Sequence, residues 1–132
     1  MEYSNGINSK LMRSFKYTAD KDVRGMTPEG EVKKNIKKVL SKYSAYWYMP
    51  VSNGMGAPSL DYLVCVKGIF VGIEAKAPGK KATARQKLTM ENIEAAGGHG
   101  FLCDGNYEEL ETFLIKIMML RSIEIGAEES IN

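Results

Sequence analysis

Histidine and cysteine are scarce in this chain: there is one histidine, His99, and two cysteines, Cys65 and Cys103, with no CxxC pair. That scarcity argues against the common zinc-ligand spacings and against a disulfide scaffold, and it points to a reducing compartment. Both cysteines fall in apolar runs that read as buried strands. No apolar run approaches the ~18 to 20 residues a membrane span needs, so no membrane partner is expected. The opening MEYSNGINSKLMRSFK has no signal-peptide apolar core. The expected address is the cytoplasm, or a host's cytoplasm for a viral chain. Internal repeats and linker-like low-complexity segments are also lacking. With 132 residues, 44% hydrophobic and 26% charged, the chain fits one domain able to bury a core.

Acid is missing where base is dense. Between Glu74 and Glu91 stand five cations (Lys76, Lys80, Lys81, Arg85, Lys87) and no carboxylate. Residues 1–42 carry ten Lys/Arg against five Asp/Glu, and residues 104–132 carry two against seven. A net charge of +2 therefore conceals a basic stripe and an acidic end. Such segregation suits a polyanion on one face, or simply a solvated lysine surface. A second basic row, Lys33, Lys34, Lys37 and Lys38, is the alternative contact.

The apolar spacing then sets the elements. Thr27-Pro28 is a cap and first helical residue, opening a helix with the stripe Val32, Ile36, Val39 and Leu40 that ends near Lys42. AYWYMPV (45–51) is β-prone; its aromatics Tyr46, Trp47 and Tyr48 are either strand core or a surface on which bases stack. SLDYLVCV (59–66) and IFVGIEAKA (69–77) are strands joined by the two-residue turn Lys67-Gly68. Both read as central strands, apolar on both faces. A helix follows, with Thr83 and Gln86 as a capping box and Gly97-Gly98 as its stop. GFLCD (100–104) is a short strand, and His99 sits in the glycine-rich turn before it. Asn106 with Glu109 opens a last helix with the stripe Leu110, Phe113, Leu114, Ile117 and Met118. The expectation is α/β, ordered αβββαβα, with a mixed sheet flanked by helices. Residues 1–26 form an N-terminal arm, 27–123 the domain, and 124–132 a flexible tail.

The chemistry lies in the hairpin. Alternation puts Glu74 and Lys76 on one side and Ala75 on the other. A two-residue turn makes paired positions sum to 135, so Asp61 faces Glu74 with Cβ atoms ~4.5–5.5 Å apart. Two carboxylates that close repel unless a cation lies between them. With no His or Cys nearby, that cation is hard: Mg²⁺, with Mn²⁺ as substitute. Lys76 is then placed to orient a water or stabilise a phosphorane. Tyr62, Val64, Val71, Ile73 and Ala75 are the hairpin's core face. The competing reading of Asp61, Glu74 and Lys76 is an ion-pair cluster at a sheet end.

From Thr27 to Asp104 the chain resembles the VRR-NUC domain, a branch of the PD-(D/E)xK nucleases. The resemblance is carried by TPEGEVKKNIKKVL, by Asp61 separated by twelve residues from EAKAPGKK (74–81), and by Gln86. Closest in character are stand-alone phage versions, which are similar to junction-cleaving nucleases. The resemblance implies a restriction-endonuclease-like core, αβββαβ with an extra C-terminal helix, and metal-dependent cleavage of branched or duplex DNA. It implies an acid on the first helix. Glu29 shares the inward stripe with Val32 and Ile36, whereas Glu31 falls with Asn35 and Lys38 on the outer side, so Glu29 is selected. It also implies a catalytic glutamine, matched by Gln86, although one amide is not expected to serve both catalysis and the capping box. One feature departs from the family: the usual Pro-Asp is here Pro58-Ser59-Leu60-Asp61, so Ser59 could stand where the acid belongs. The hairpin register favours Asp61. The expected metal ligands are Asp61, Glu74, the Ala75 carbonyl and Glu29. Lys80, Lys81, Arg85, Lys87 and Asn53 would contact nucleic acid. A homodimer would suit a substrate needing two cuts.

Overall fold

A computed structural model describes residues 25–51 and 58–131. Most of the expected N-terminal arm, and the loop that holds Asn53, lie outside the described residues.

The first helix, α1 (Pro28–Lys42), starts as its sequence dictates: the Thr27 hydroxyl accepts from the Gly30 N–H at 3.0 Å, and Pro28 occupies the first turn. Val32, Ile36, Val39 and Leu40 are buried. Asn35 is buried too, its side chain donating to the Tyr107 hydroxyl at 3.2 Å. The expectation that Glu31, Asn35 and Lys38 form an outer face is thus corrected at Asn35. A hydrogen-bond partner on the last helix makes its burial tolerable.

Four strands follow in a single sheet of spatial order β1-β2-β3-β4: β1 (Tyr46–Tyr48), β2 (Tyr62–Val66), β3 (Ile69–Ala75) and β4 (His99–Cys103). The first three are antiparallel, and β4 runs parallel to β3. Helix α2 (Ala84–Ala95) makes the β3-to-β4 connection, and α3 (Tyr107–Ile131) closes the chain. The hairpin turn is the expected one: Lys67 and Gly68 both adopt the left-handed conformation, φ 52° and 78°, and the strands pair from Tyr62↔Ile73 to Val66↔Ile69.

Several boundaries differ from expectation. β1 is three residues long, not seven; Pro50, with no N–H to donate, ends the pairing. β2 begins at Tyr62 rather than Ser59, because the Asp61 N–H is taken by a carboxylate. Cys65 is exposed, not buried as its apolar run suggested. The helix α3 does not fray after residue 123 but continues to Ile131. Its only glycine there, Gly126, costs about 1 kcal/mol in a helix, and no proline interrupts.

The sheet's two faces differ. Tyr62, Val64, Val66, Val71, Ile73 and Ala75 form the core with the α1 stripe and with Leu110, Leu114 and Ile117 of α3. This agrees with the expected core face. On the other face α2 lies over β3 and β4, and glycines make the room. A Cβ on Gly100 would stand 2.9 Å from the Met90 Cβ and 3.3 Å from its Cα. One on Gly72 would meet Ile93 at 2.6 Å.

That close approach is testable. Gly100→Ala pushes against the main chain of α2, and overpacking of this kind costs ~1–3 kcal/mol. Denaturant unfolding should show a lower midpoint with an unchanged slope; an unchanged midpoint would show that α2 has slack.

Candidate functional site

The site forms where β2 and β3 run out of ladder. The Asp61 N–H donates to Glu74 Oε2 at 3.2 Å, and the Ala75 N–H donates to Asp61 Oδ2 at 2.9 Å. Each carboxylate thus holds the other residue's strand, replacing the next ladder bonds. The ladder itself ends at Tyr62↔Ile73; one step beyond it, these two bonds join Asp61 to Glu74 and to the neighbouring Ala75. Ser59 is exposed and takes no part in these bonds, whereas Asp61 takes part in both.

Glu74 is nearly inaccessible, 4% exposed. Its Oε1 accepts from Gln86 Nε2 at 2.7 Å, and Lys76 Nζ lies 3.9 Å away. Lys76 stands just beyond the strand, held by its N–H to the Cys103 carbonyl at 2.9 Å, and on the same side as Glu74. Gln86 corrects an expectation. Its Oε1 accepts from the Thr83 N–H at 2.9 Å while its Nε2 reaches Glu74, so one amide fills both the capping and the site role. The capping box starts α2 and fixes the direction of the amide. The glycines beneath α2 bring it within reach.

Glu29 does not join the other acids directly. Its carboxylate is partly exposed and lies 3.6 Å from Lys33 Nζ, which lies 3.6 Å from Asp61 Oδ1. Lys33 thus stands between the two carboxylates. It was expected only as a member of the alternative basic row. Its i, i+4 spacing from Glu29 was legible, but its approach to Asp61 depends on α1 packing against β2, where the Tyr62 hydroxyl donates to the Lys33 carbonyl at 3.0 Å.

These groups bear on the expected metal. Among the described residues no three His, Cys, Asp or Glu side chains are grouped closely enough to hold an ion. The donor chemistry still suits a hard cation: two carboxylates from adjacent strand ends, with Ala75 between Glu74 and Lys76. A cationic ammonium already lies between Glu29 and Asp61, which marks the position as one where positive charge is stabilised. The acids that the fold brings together are therefore Asp61 and Glu74, and Glu29 reaches Asp61 only by way of Lys33.

Lys80 and Lys81 are exposed in the turn after β3, and Arg85 and Lys87 are exposed on α2. His99 begins β4 instead of lying in the turn before it, because it pairs with Val71 of β3, and its ring packs edge-on against Phe113, centroids 5.6 Å apart. No family model matches the chain, and no curated protein matches it.

Burial, and next the neighbouring Asp61 charge, raise the Glu74 carboxyl from 4.5 to about 7, against the pull of the Asp61 N–H and of Lys76. The folded chain therefore binds a proton that the unfolded chain releases between these values. Metal-free stability should be greatest below the unfolded value and fall as pH rises through the folded one. Thermal melts in chelator should show that decline. In Glu74→Gln it should flatten, with the variant more stable than wild type above pH 7. A parallel decline in both proteins would place the proton elsewhere.

Proposed function

We propose that this chain is a magnesium-dependent nuclease that hydrolyses phosphodiester bonds in DNA, selective for branched or junction structures. The observation that carries the reading is the reciprocal lock of Asp61 and Glu74 with Lys76 beside it. A merely structural ion pair does not need two opposed carboxylates, one of which, Glu74, is nearly dry. The resemblance to the VRR-NUC domain supports the same chemistry.

In this reading Asp61 and Glu74, with the Ala75 carbonyl, hold Mg²⁺, with Mn²⁺ able to substitute. Bound there, a divalent cation supplies phosphoryl polarisation and a water of lowered pKa. Lys76 orients the nucleophilic water or donates to a non-bridging phosphate oxygen. Gln86 fixes the Glu74 carboxylate through its amide, so that the acid presents one geometry to substrate. Lys33 balances the charge between Glu29 and Asp61, and Glu29 acts through it or through water. Lys80, Lys81, Arg85 and Lys87 take the DNA backbone. A homodimer would deliver the two cuts that a junction requires.

A non-catalytic nucleic-acid-binding module is favoured by one observation: all four oxygens of Asp61 and Glu74 already face protein donors or cations. Cleavage separates the readings. A panel of branched, nicked and linear labelled DNAs with Mg²⁺ should show cutting that chelator stops and that Asp61→Asn or Glu74→Gln abolishes. Retained cutting in Asp61→Asn would overturn the assignment.

Lys76→Arg separates positioning from charge. The planar guanidinium keeps the charge but not the place of the ammonium. A misplacement of ~1 Å can cost ~100-fold. Single-turnover cleavage at saturating Mg²⁺ should fall by about that factor, with metal affinity retained. Near-normal cutting would reduce Lys76 to a counter-ion.

For the basic stripe, replacing Lys80 and Lys81 by Glu should weaken DNA binding and flatten its dependence on salt. An unchanged salt slope would move the DNA to the Lys33, Lys34, Lys37 and Lys38 row.

A further inference from the structure

The sheet face that carries Glu74 is only half covered. Helix α2 shields its β3–β4 side, over Gly72 and Gly100. The β1–β2 side is open among the described residues. Strand alternation puts Tyr46 and Tyr48 on this face, and Tyr46 stands opposite Cys65, which stands opposite Phe70. Tyr46 is 72% exposed, Tyr48 57% and Phe70 46%. Trp47, pointing the other way, packs against the core. The choice left open for these aromatics is therefore divided: Trp47 is core, and the two tyrosines are surface.

Exposing three large rings on one sheet face is costly unless something covers them. Ideal strand spacing puts Tyr46 and Tyr48 ~7 Å apart and Phe70 ~9.5 Å across the sheet from Tyr46. Phe70 also opens a groove of about 600 Å³ with Leu88 and the Arg85 cation on its wall. Along β3 the row runs from Phe70 to Glu74, four residues or ~13 Å further.

We infer that Tyr46, Tyr48 and Phe70 form a stacking platform for the unpaired bases of a single nucleic-acid strand, which it leads towards Asp61 and Glu74. Charge selects this occupant. Arg85 lines the groove beside Phe70 and belongs to the acid-free stretch from Lys76 to Lys87, which suits a polyanionic backbone at the Phe70 end of the stacked bases. An aliphatic protein partner would gain nothing from those cations. A duplex keeps its base faces stacked inside, so a platform of rings distinguishes an unpaired strand from a paired one. The platform rests on the nuclease reading only for its purpose: it makes the preferred substrate a branch or flap with a single-stranded arm beside the cut.

The test is made in chelator, so that it does not depend on cleavage. Fluorescence anisotropy measures the intact protein against an oligo-dT of about 12 nucleotides, within the span one small domain covers, and against a duplex of equal length. Tyr46→Ser/Tyr48→Ser should bind the oligo-dT at least about fivefold more weakly, the lower end of one stacked base, with duplex affinity unchanged. Tyr46→Phe/Tyr48→Phe should bind as wild type does. Both pairs are surface substitutions, and matched circular dichroism spectra exclude misfolding. Equal single-strand binding by the Ser variant would overturn the platform. So would a parallel loss for single strand and duplex. Conversion of a wild-type dimer to a monomer by the Ser variant would assign the face to a second copy instead. Absence of cutting with Mg²⁺ would remove the nuclease reading and leave the platform standing.

Discussion

The arrangement depends on a reciprocal exchange at the end of one hairpin. Asp61 accepts from the main chain beside Glu74, and Glu74 accepts from the main chain of Asp61. These bonds replace two that the ladder would otherwise make, so strand pairing stops at Tyr62 and Ile73 because the carboxylates have taken its place. Glu74 is nearly dry and Asp61 stands beside it partly exposed, so desolvation and mutual repulsion both oppose a charge on Glu74. The cations and the amide around them answer that cost: Lys33 at Asp61, and Gln86 and Lys76 at Glu74.

Each of those groups is delivered by a different element. Lys33 comes from α1, whose place is fixed by its buried stripe and by the Tyr62 hydroxyl. Gln86 comes from the first turn of α2, aimed by the capping box and admitted by Gly72 and Gly100. Lys76 follows from the strand itself. A buried Lys42–Glu111 pair, joined by the Tyr43 hydroxyl, ties the end of α1 to α3 on the far side of the core. The site is thus supported from both faces of the sheet, while the glycines keep one face thin enough for a helix to reach Glu74.

Much of this was legible in the sequence, for local reasons. Thr27-Pro28, Thr83-x-x-Gln86 and Lys67-Gly68 are caps and a turn whose chemistry is contained within a few residues. The turn alone fixes the register that brings Asp61 to Glu74. What was not legible depends on packing between distant segments. The approach of Lys33 to Asp61 and the burial of Asn35 against Tyr107 follow from where α1 settles. The exposure of Cys65, Tyr46 and Tyr48 follows from how much of the sheet α2 covers, which no period reports. The double duty of Gln86 goes beyond its local capping pattern because the two ends of the amide serve different partners, Thr83 and Glu74.

A cation site made by Asp61 and Glu74 is testable without any substrate. Calorimetric titration of Mn²⁺ into the protein at moderate ionic strength should give saturable binding that Mg²⁺ displaces. Asp61→Asn and Glu74→Gln should each abolish it while keeping the fold. Absence of saturable binding in the wild-type protein, or binding that survives both substitutions, would contradict the account and leave the two acids as a structural ion-pair cluster.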